Sequence, residues 1–280
     1  MALATALTQT CILMCNLRGC GQPGICETMK AILSDIHANL EALRAVLEEI
    51  DRLNVSVIYN LGDTTIYGPN PIECIDLAMR MDVVLLGCFD LAVLIDPFAF
   101  PPAAEKSVYW TRELLESADS VMGAGPSRRQ FLASLKPSHQ DADALYVHGS
   151  PARPLHEYVF GEDVHNPKKM ARNSEHFQQL CFHGHTHIPG LIVENGPEDW
   201  QFLKPSDCVS MFTLDGRRVM CNVGSVGQPR DGDWRAGFVL FDGATIRFHR
   251  VEYDIDRTVR KIFGDPGLDD FFGGRLRDGW

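Results

Sequence analysis

The stretch KAILSDIHANL, residues 30–40, decides the fold class of this chain. Its short apolar run at 31–33 is typical of a buried strand, and the polar residues Asp35 and His37 follow at once. Apolar side chains then recur at three- and four-residue intervals, which predicts an amphipathic helix over residues 39–52. A strand that leads through a polar loop into a helix is the first half of a βαβ unit.

The same alternation continues in the next part of the chain. A β-branched apolar run predicts a second strand at 55–59, and a helix at 72–81 leads to a third strand at 83–86. Strands that alternate with helices in this way predict a parallel sheet with helices on its faces. We therefore expect an α/β fold.

The order of predicted helices and strands changes after the third strand. Residues at about 95–140 are typical of a helical insertion, and two further strands are predicted at 144–147 and 180–182. After residue 190 the pattern becomes rich in strands, and the Asp-Gly pairs at 215–216 and 242–243 predict hairpin turns. We expect residues 29–280 to form a single domain, since no linker or repeat divides them.

Composition excludes several classes of protein. The chain has 280 residues, a hydrophobic fraction of 45% and a net charge of −11. The apolar fraction excludes a disordered chain, and no run reaches the roughly 18 apolar residues that a membrane span needs. The acidic surface would repel polyanions, so we expect neither bulk nucleic-acid binding nor membrane binding.

The cysteines indicate a reducing environment. Their number is nine and their spacing is irregular, which does not match a secreted disulfide framework, so we expect a cytoplasmic protein. Four of them lie in residues 1–28, which we expect to be a disordered extension. A zinc knuckle there is the alternative, although no histidine completes it.

Metal-ligating side chains follow the predicted strands at their carboxyl ends, where open α/β sheets build their sites. Carboxylates and imidazoles suit Mn²⁺, Fe²⁺ and Zn²⁺, and a carboxylate with two oxygens can bridge two ions. Taken singly, Asp35 could instead cap the following helix, and His148 could be a turn residue. We interpret His183 as structural. The predicted ligands are Asp35, His37, Asp63, His148, His185 and His187.

These motifs, in this order, resemble the calcineurin-like metallophosphoesterases, in particular their small prokaryotic branch. The resemblance extends over roughly residues 29–275 and implies a two-sheet β-sandwich flanked by helices. The motifs that carry it are SDIHAN (34–39), GD (62–63), YGPNP (67–71), HGSP (148–151), GHTH (184–187) and NVGSVGQPR (222–230).

The resemblance also implies a dinuclear centre. One ion would be held by Asp35, His37, Asp63 and His187, and the second by Asp63 as a bridge with His148 and His185. The implied cofactors are two divalent ions, Mn²⁺, Fe²⁺ or Zn²⁺, with Ni²⁺ and Mg²⁺ as alternatives. The implied catalytic residues are Asp35, Asp63 and His148.

Three further residues would line the substrate pocket by the same resemblance: Asn39, Tyr67 and Arg230. Arg230 has the forked guanidinium that suits a pair of phosphate oxygens. The alternative for Arg230 is an exposed loop residue that pairs with Asp231 or Asp233.

The sequence departs from the family at its third motif. Where the family has Gly-Asn-His followed by Asp or Glu, this chain has GCFD at residues 87–90. Cys88 replaces the asparagine that ligates the second ion, and it is either a thiolate ligand or a space-filling thiol. Phe89 replaces the histidine that faces the substrate, and it offers neither a proton nor a hydrogen bond. A replacement acid from the 151–170 loop, His156 or His165, is a further alternative.

The sequence therefore predicts a metal-dependent hydrolase of phosphate mono- or diesters with an altered site. The alternative is a metal-binding pseudo-enzyme that binds a phosphorylated ligand or a protein. The expected partner is a small phosphorylated substrate or a phosphoprotein, and the oligomeric state stays open.

Overall fold

A computed structural model of the chain describes residues 29–95, 97, 100–120 and 127–280. The expected disordered extension at 1–28 and its zinc-knuckle alternative lie outside the described residues.

Twelve strands in the described part of the chain form two six-stranded sheets. The first sheet has the order β3-β2-β1-β11-β12-β9. Strands β1, β2 and β3 are parallel, whereas β11 and its two neighbours are antiparallel. Its strands are β1 (Lys30–Leu33), β2 (Val57–Asn60), β3 (Val83–Val84), β9 (Met211–Thr213), β11 (Ala236–Phe241) and β12 (Thr245–Val251).

The second sheet has the order β4-β5-β6-β10-β7-β8. Its centre, β5-β6-β10, is parallel, and its two edges are antiparallel. Its strands are β4 (Ser138–Gln140), β5 (Leu145–Val147), β6 (Leu180–His183), β7 (Gly190–Gly196), β8 (Asp199–Leu203) and β10 (Val219–Asn222).

The two sheets share one apolar core. Ile32 and Phe241 of the first sheet meet Tyr146 and Phe182 of the second sheet, and all four side chains are buried. Each sheet thus buries one face against the other, as in a sandwich. The expected two-sheet sandwich flanked by helices is confirmed, but both sheets are mixed rather than parallel.

Helices cover the outer faces. Helix α1 packs Leu43 and Val46 against Phe238 and Leu240 of β11, because its apolar residues share one face. Short 3-10 helices lie at Gly161–His165 and Pro205–Cys208. The α-helices are α1 (Leu40–Arg52), α2 (Pro71–Ala78), α3 (Cys88–Leu94), α4 (Pro102–Asp119), α5 (Arg128–Ser134), α6 (Pro167–Ser174), α7 (Ile255–Gly264) and α8 (Asp270–Asp278).

The helical insertion packs against the end of the chain. Val108 and Leu132 of helices α4 and α5 share a buried cluster with Ile262 and Phe272 of α7 and α8. The insertion expected at about 95–140 is shorter than that range, because residues 138–140 form β4 of the second sheet. Strand β8 and helices α3 and α8 were not predicted from the sequence pattern.

The two Asp-Gly pairs behave differently. Residues 242–243 join β11 and β12, which are hydrogen-bonded neighbours, so the predicted hairpin is present. The hairpin predicted at 215–216 was wrong, because β9 belongs to the first sheet and β10 to the second. The local turn signal does not specify which strand each arm pairs with.

No helix within the described residues is both long enough and apolar enough to cross a membrane.

Candidate metal centre

The predicted ligands meet where the loops of both sheets converge. The backbone N–H groups of Asp35 and His37 donate to the carbonyls of Gly62 and Asp63, at 3.0 and 2.9 Å, so the loops after β1 and β2 are bonded together. In the second sheet, Gly184 N–H donates to the carbonyl of His148 at 3.0 Å. Parallel neighbouring strands bring their carboxyl ends to one edge, which explains this convergence.

The backbone at these positions is unusual. Five of the predicted ligands have positive φ, although none is glycine: Asp35 (54°), His37 (47°), Asp63 (54°), His185 (68°) and His187 (63°). Left-handed backbone is uncommon for such residues and persists where the surrounding structure enforces it, often at functional sites. The fold therefore holds these residues in an unfavourable backbone conformation that orients their side chains.

Asp35, His37 and His187 form a first group of donor atoms. Nε2 of His187 lies 3.2 Å from Oδ1 of Asp35 and 3.1 Å from Nε2 of His37. The outer nitrogens donate to carbonyls, Nδ1 of His37 to Thr65 at 3.3 Å and Nδ1 of His187 to Gln228 at 2.6 Å. This leaves both Nε2 lone pairs directed inward, as in metal sites whose histidines are held from behind.

Asp63, Cys88, His148 and His185 form a second group. Oδ2 of Asp63 lies 3.1 Å from Nε2 of His148 and 3.5 Å from Sγ of Cys88. Nδ1 of His185 lies 3.0 Å from Nε2 of His148 and 3.8 Å from Sγ of Cys88. Ligand atoms that each bind one cation at about 2.0–2.3 Å lie at separations similar to those between the four atoms of this group.

Burial and charge shape the acid–base state of these groups. Burial lowers the pKa of His185 to about 3, with repulsion from His148, and burial also lowers the pKa of His187 to about 4. Burial opposes the charge on His148, but the Asp63 carboxylate outweighs it and raises the pKa of His148 to about 9. Burial and the neighbouring Asp63 raise the pKa of the Cys88 thiol.

Several buried side-chain atoms of the described residues have no hydrogen-bond partner, and Oδ1 of Asp35 is the carboxylate oxygen among them. Oδ1 of Asp35 is buried and accepts no hydrogen bond, although it faces the two Nε2 atoms of the first group. An unsatisfied buried carboxylate oxygen is costly, and a cation would satisfy it. The donor set therefore fits divalent metal, and we report both groups as candidate metal sites.

Asp63 belongs to the second group in the structure. Its Oδ2 faces His148 and Cys88, while its Oδ1 accepts a 2.8 Å hydrogen bond from the backbone N–H of Phe89. It is not within the first group, so the bridging role is not visible as shared ligand geometry.

The side chain of Asn39, which was expected to line the substrate pocket, is bonded to other residues at both of its polar atoms. Its Oδ1 caps α1 by accepting from Ala42 N–H at 3.2 Å, and it also accepts from Thr258 at 3.0 Å. Its Nδ2 donates to the carbonyl of Gly227 and the hydroxyl of Tyr253. Every polar atom of this buried amide has a partner, so Asn39 caps α1; it also lines a small pocket with His37 and Tyr67, and its contact with substrate stays a prediction. It also fills the cap position that was open to Asp35.

Tyr67 and Arg230 do lie beside the donor groups. The Tyr67 ring is 4.7 Å from the His37 ring, and the backbone N–H of Arg230 donates to the carbonyl of His187 at 3.2 Å. Arg230 does not pair with the neighbouring acids, because Asp231 binds Arg250 and Asp233 binds Arg235. The loop-pairing alternative for Arg230 is thereby excluded for the described residues.

The altered motif begins helix α3. Phe89 packs among aromatic rings, with centroids 5.1 Å from Tyr67 and 4.8 Å from Phe100. Asp90 accepts from the backbone N–H groups of Thr64 and Thr65, and from the Thr65 hydroxyl at 2.9 Å. Asp90 therefore anchors the loop that carries Asp63.

Sequence reasoning missed Tyr158. Its ring stacks on the His185 ring with centroids 3.8 Å apart and an interplanar angle of 13°. The residue lies in a loop without a recognised motif, so no local signal marked it. The alternatives named from that loop, His156 and His165, are exposed side chains.

Comparison with known proteins adds the following. A calcineurin-like phosphoesterase superfamily domain matches residues 29–245. An uncharacterized protein of Methanocaldococcus jannaschii, MJ0912, is 31% identical over 265 residues, which cover 89% of this chain and 98% of that protein.

Two solved structures are similar in fold. A metallophosphoesterase from Sphaerobacter thermophilus superposes with a TM-score of 0.76 and is 35% identical, covering 91% of this chain and 100% of that one. A hypothetical protein of Pyrococcus horikoshii, PH1004, has a TM-score of 0.70 at 20% identity, covering 90% and 98% of the two chains. At that identity the second match supports the fold alone.

Proposed function

Since the chain belongs to the calcineurin-like phosphoesterase superfamily, we propose that it hydrolyses a phosphate mono- or diester with the help of two divalent metal ions. The observation that carries this proposal is the pair of buried donor groups, which adjoin at the meeting edge of the two sheets.

The first group, Asp35, His37 and His187, would hold one ion, and the second group the other. Asp63 would be shared between the two sites, as the family resemblance implies; burial opposes its charge, and His148 of the second group and then His37 of the first group lower its pKa. Nitrogen and oxygen donors suit Mn²⁺, Fe²⁺ and Zn²⁺, and Ni²⁺ and Mg²⁺ are the alternatives. A thiolate from Cys88 would favour Zn²⁺ or Fe²⁺ in the second group.

Bound there, two divalent ions would clamp a phosphate and would supply a potent nucleophile from water at neutral pH. The chain's own residues supply the surroundings of that chemistry. The six predicted oxygen and nitrogen ligands are at most 4% exposed, which excludes bulk water and strengthens every charge interaction. Arg230 and Tyr67 would contact the substrate beside the first group.

Space for the organic part of the substrate is present next to Arg230. A cavity of about 560 Å³ is lined by Arg230 and Thr186 on one side and by Phe160, Phe202 and Lys204 on another. Its lining also includes the acids Glu162, Asp231 and Asp233, so we assign to it the organic part of a small phosphorylated molecule, or a segment of a phosphorylated protein, and not the phosphate itself.

The phenylalanine at position 89 limits the rate of the reaction that we propose. A general acid contributes about 10²–10⁴-fold to rate, and Phe89 has no proton to give. Esters with a low-pKa leaving group should therefore react better than alkyl esters.

The free cysteines of the described residues, four of the five buried, support our placing of the protein in a reducing cytoplasm.

A second candidate function is suggested by the same Phe89. A protein that binds metal and a phosphorylated ligand without turning it over would not need the family histidine. Both donor groups are retained in this alternative, because the metal ions that they hold would bind the phosphate of the ligand.

The test is hydrolysis of para-nitrophenyl phosphate and its bis-ester with Mn²⁺, together with metal analysis of the purified protein. We expect Asp63→Asn to abolish turnover and lower metal content, and Asp199→Asn, an exposed acid on β8, to change neither. Absence of turnover in the wild type, with turnover restored by Cys88→Asn and Phe89→His together, would favour the binding protein.

A further inference from the structure

We propose that the hydroxyl of Tyr158 contacts the phosphoryl group of the substrate, in a site where Phe89 replaces the family histidine. The inference rests on the proposed phosphoester chemistry and adds a residue to it. It depends on three hydrogen-bond donors that lie beside the two candidate metal sites and have no partner within the described residues: Nε of Arg230 and the hydroxyls of Tyr67 and Tyr158.

The first of these donors is the guanidinium of Arg230. Its Nη2 is used by Oε1 of Gln228 at 2.8 Å, but its Nε is buried and has no partner within the described residues. Its backbone is bonded to the carbonyl of His187, which fixes the side chain beside the first group. A buried guanidinium N–H without an acceptor is costly, so an anion is expected there.

The other two donors are the hydroxyls of Tyr67 and Tyr158. In the described part of the chain, Tyr67 bonds through its backbone N–H and Tyr158 through its carbonyl, and neither hydroxyl has a partner. Tyr67 is only 8% exposed. Burial raises the pKa of Tyr158 to about 12, and Arg230 opposes this shift. The stacking of the Tyr158 ring on His185 places this tyrosine directly against the second group.

The ring of Tyr158, which is 39% exposed, has two stacking partners. It stacks on His185, with centroids 3.8 Å apart, and on Phe160, whose centroid is 5.5 Å away at 13°. Lys169 Nζ donates to the Tyr158 carbonyl at 2.8 Å, and the preceding Glu157 accepts from Ser150 at 2.6 Å. Loop residues tied down in this way can present a hydroxyl in a fixed direction.

A phosphoryl group is the ligand that this arrangement fits. Arg230 Nε and the two hydroxyls are all able to donate, and they stand around two groups that attract cations. A tetrahedral oxyanion between them could take cations on one side and hydrogen bonds on the other. Phe89, 5.1 Å from Tyr67, forms the apolar wall of the same space and cannot donate.

The experiment compares Tyr158→Phe with the wild type and with Tyr109→Phe, which changes an exposed tyrosine on α4. Tyr158→Phe keeps the ring on His185 and removes only the hydroxyl. For each Mn²⁺-loaded protein, we would measure the Kd of inorganic phosphate by calorimetry, bound metal by mass spectrometry, and kcat and KM for para-nitrophenyl phosphate.

We expect Tyr158→Phe to weaken phosphate binding by about tenfold or more, the effect of losing one hydrogen bond to a charged group, with unchanged metal content. Tyr109→Phe should match the wild type in all readouts. The proposal is overturned by a phosphate Kd for Tyr158→Phe within twofold of the wild type, by a loss of metal in that variant, or by no phosphate binding in the wild type.

These outcomes separate the inference from the proposed function. If no ester is hydrolysed but phosphate binding depends on Tyr158, the hydrolase proposal fails and the contact stands. If esters are hydrolysed equally well by Tyr158→Phe, with unchanged phosphate Kd, the hydrolase proposal stands and the contact fails.

Discussion

The backbone N–H of His185 donates a 2.9 Å hydrogen bond to Oδ2 of Asp35, two residues that are 150 positions apart in sequence. Asp35 follows β1 of the first sheet and His185 follows β6 of the second. One carboxylate thus joins the two sheets through Oδ2 and directs Oδ1 toward the first group. The metal centre and the junction between the sheets are therefore the same structure.

This junction needs a glycine before His185. A Cβ at Gly184 would lie 2.1 Å from Oγ of Ser34 and 2.5 Å from Oδ2 of Asp35. We expect Gly184→Ala to push the loops apart, lowering the free energy of unfolding by about 1–3 kcal/mol and reducing metal content. Urea unfolding and metal analysis check this. Gly196→Ala is the control, since no atom lies within 4 Å of its Cβ; equal stability of the two variants would contradict the prediction.

The thiol of Cys88 is expected to become a metal ligand. Its Sγ lies among Asp63 Oδ2 and His185 Nδ1, and a bound cation displaces the thiol proton that burial otherwise retains. Protein loaded with Co²⁺ should show a thiolate-to-metal charge-transfer band in the near ultraviolet. Cys88→Ser should remove the band, and Cys208→Ser, at a partly exposed cysteine, should keep it. A band that survives Cys88→Ser would show that this thiol only fills space.

Asp90 is expected to act through the loop that it anchors. Asp90→Ala would leave the N–H groups of Thr64 and Thr65 unsatisfied in a buried place. Each such group costs about 1–3 kcal/mol, so we expect the free energy of unfolding to fall by roughly 3 kcal/mol. Chemical denaturation measures this, with Asp199→Ala as an exposed control. A fall below roughly 0.5 kcal/mol, the usual range for surface substitutions, would contradict the anchoring role.

His183 should make the metal-free protein less stable in acid. Burial lowers the pKa of His183 from 6.5 to about 4. The unfolded chain therefore binds a proton between these values that the folded chain does not, so the His183 contribution is complete above pH 6.5 and is lost as the pH falls toward 4. That loss amounts to about 3 kcal/mol.

The measurement is urea unfolding of the metal-free wild type and of His183→Gln between pH 4 and 8. The wild type should lose stability more steeply than the variant below pH 6.5, and the two curves should run parallel above it. Parallel curves over the whole range would mean that His183 titrates normally in the folded state.

The six oxygen and nitrogen donors could be predicted because each of them is marked locally, whereas Cys88 was recognised only from the family's third motif. Asp35, His37 and Asp63 directly follow apolar strands, and the two-residue spacing of His185 and His187 repeats that of Asp35 and His37. The hydrophobic pattern places strands, strand ends place loops, and the donor types specify the chemistry. The family resemblance added the pairing of these residues into two metal sites.

Other features depend on contacts between distant parts of the chain. The capping role of Asn39 was not visible in the sequence, because its amide is bonded to Gly227, Tyr253 and Thr258 from distant parts of the chain. Tyr158 carried no motif, and only the packing of its loop on the second sheet places it over His185.

The sequence by itself determined most of the strands, the donor residues that follow them, and the loss of the family histidine at Phe89. Only the tertiary structure decided that the sheets are mixed, that Arg230 stays free of Asp231 and Asp233, and that Tyr158 faces the centre. The physical reason is range: periodicity and turn chemistry act over a few residues, whereas sheet order, ion-pair partners and ring stacking depend on which distant segments share the core.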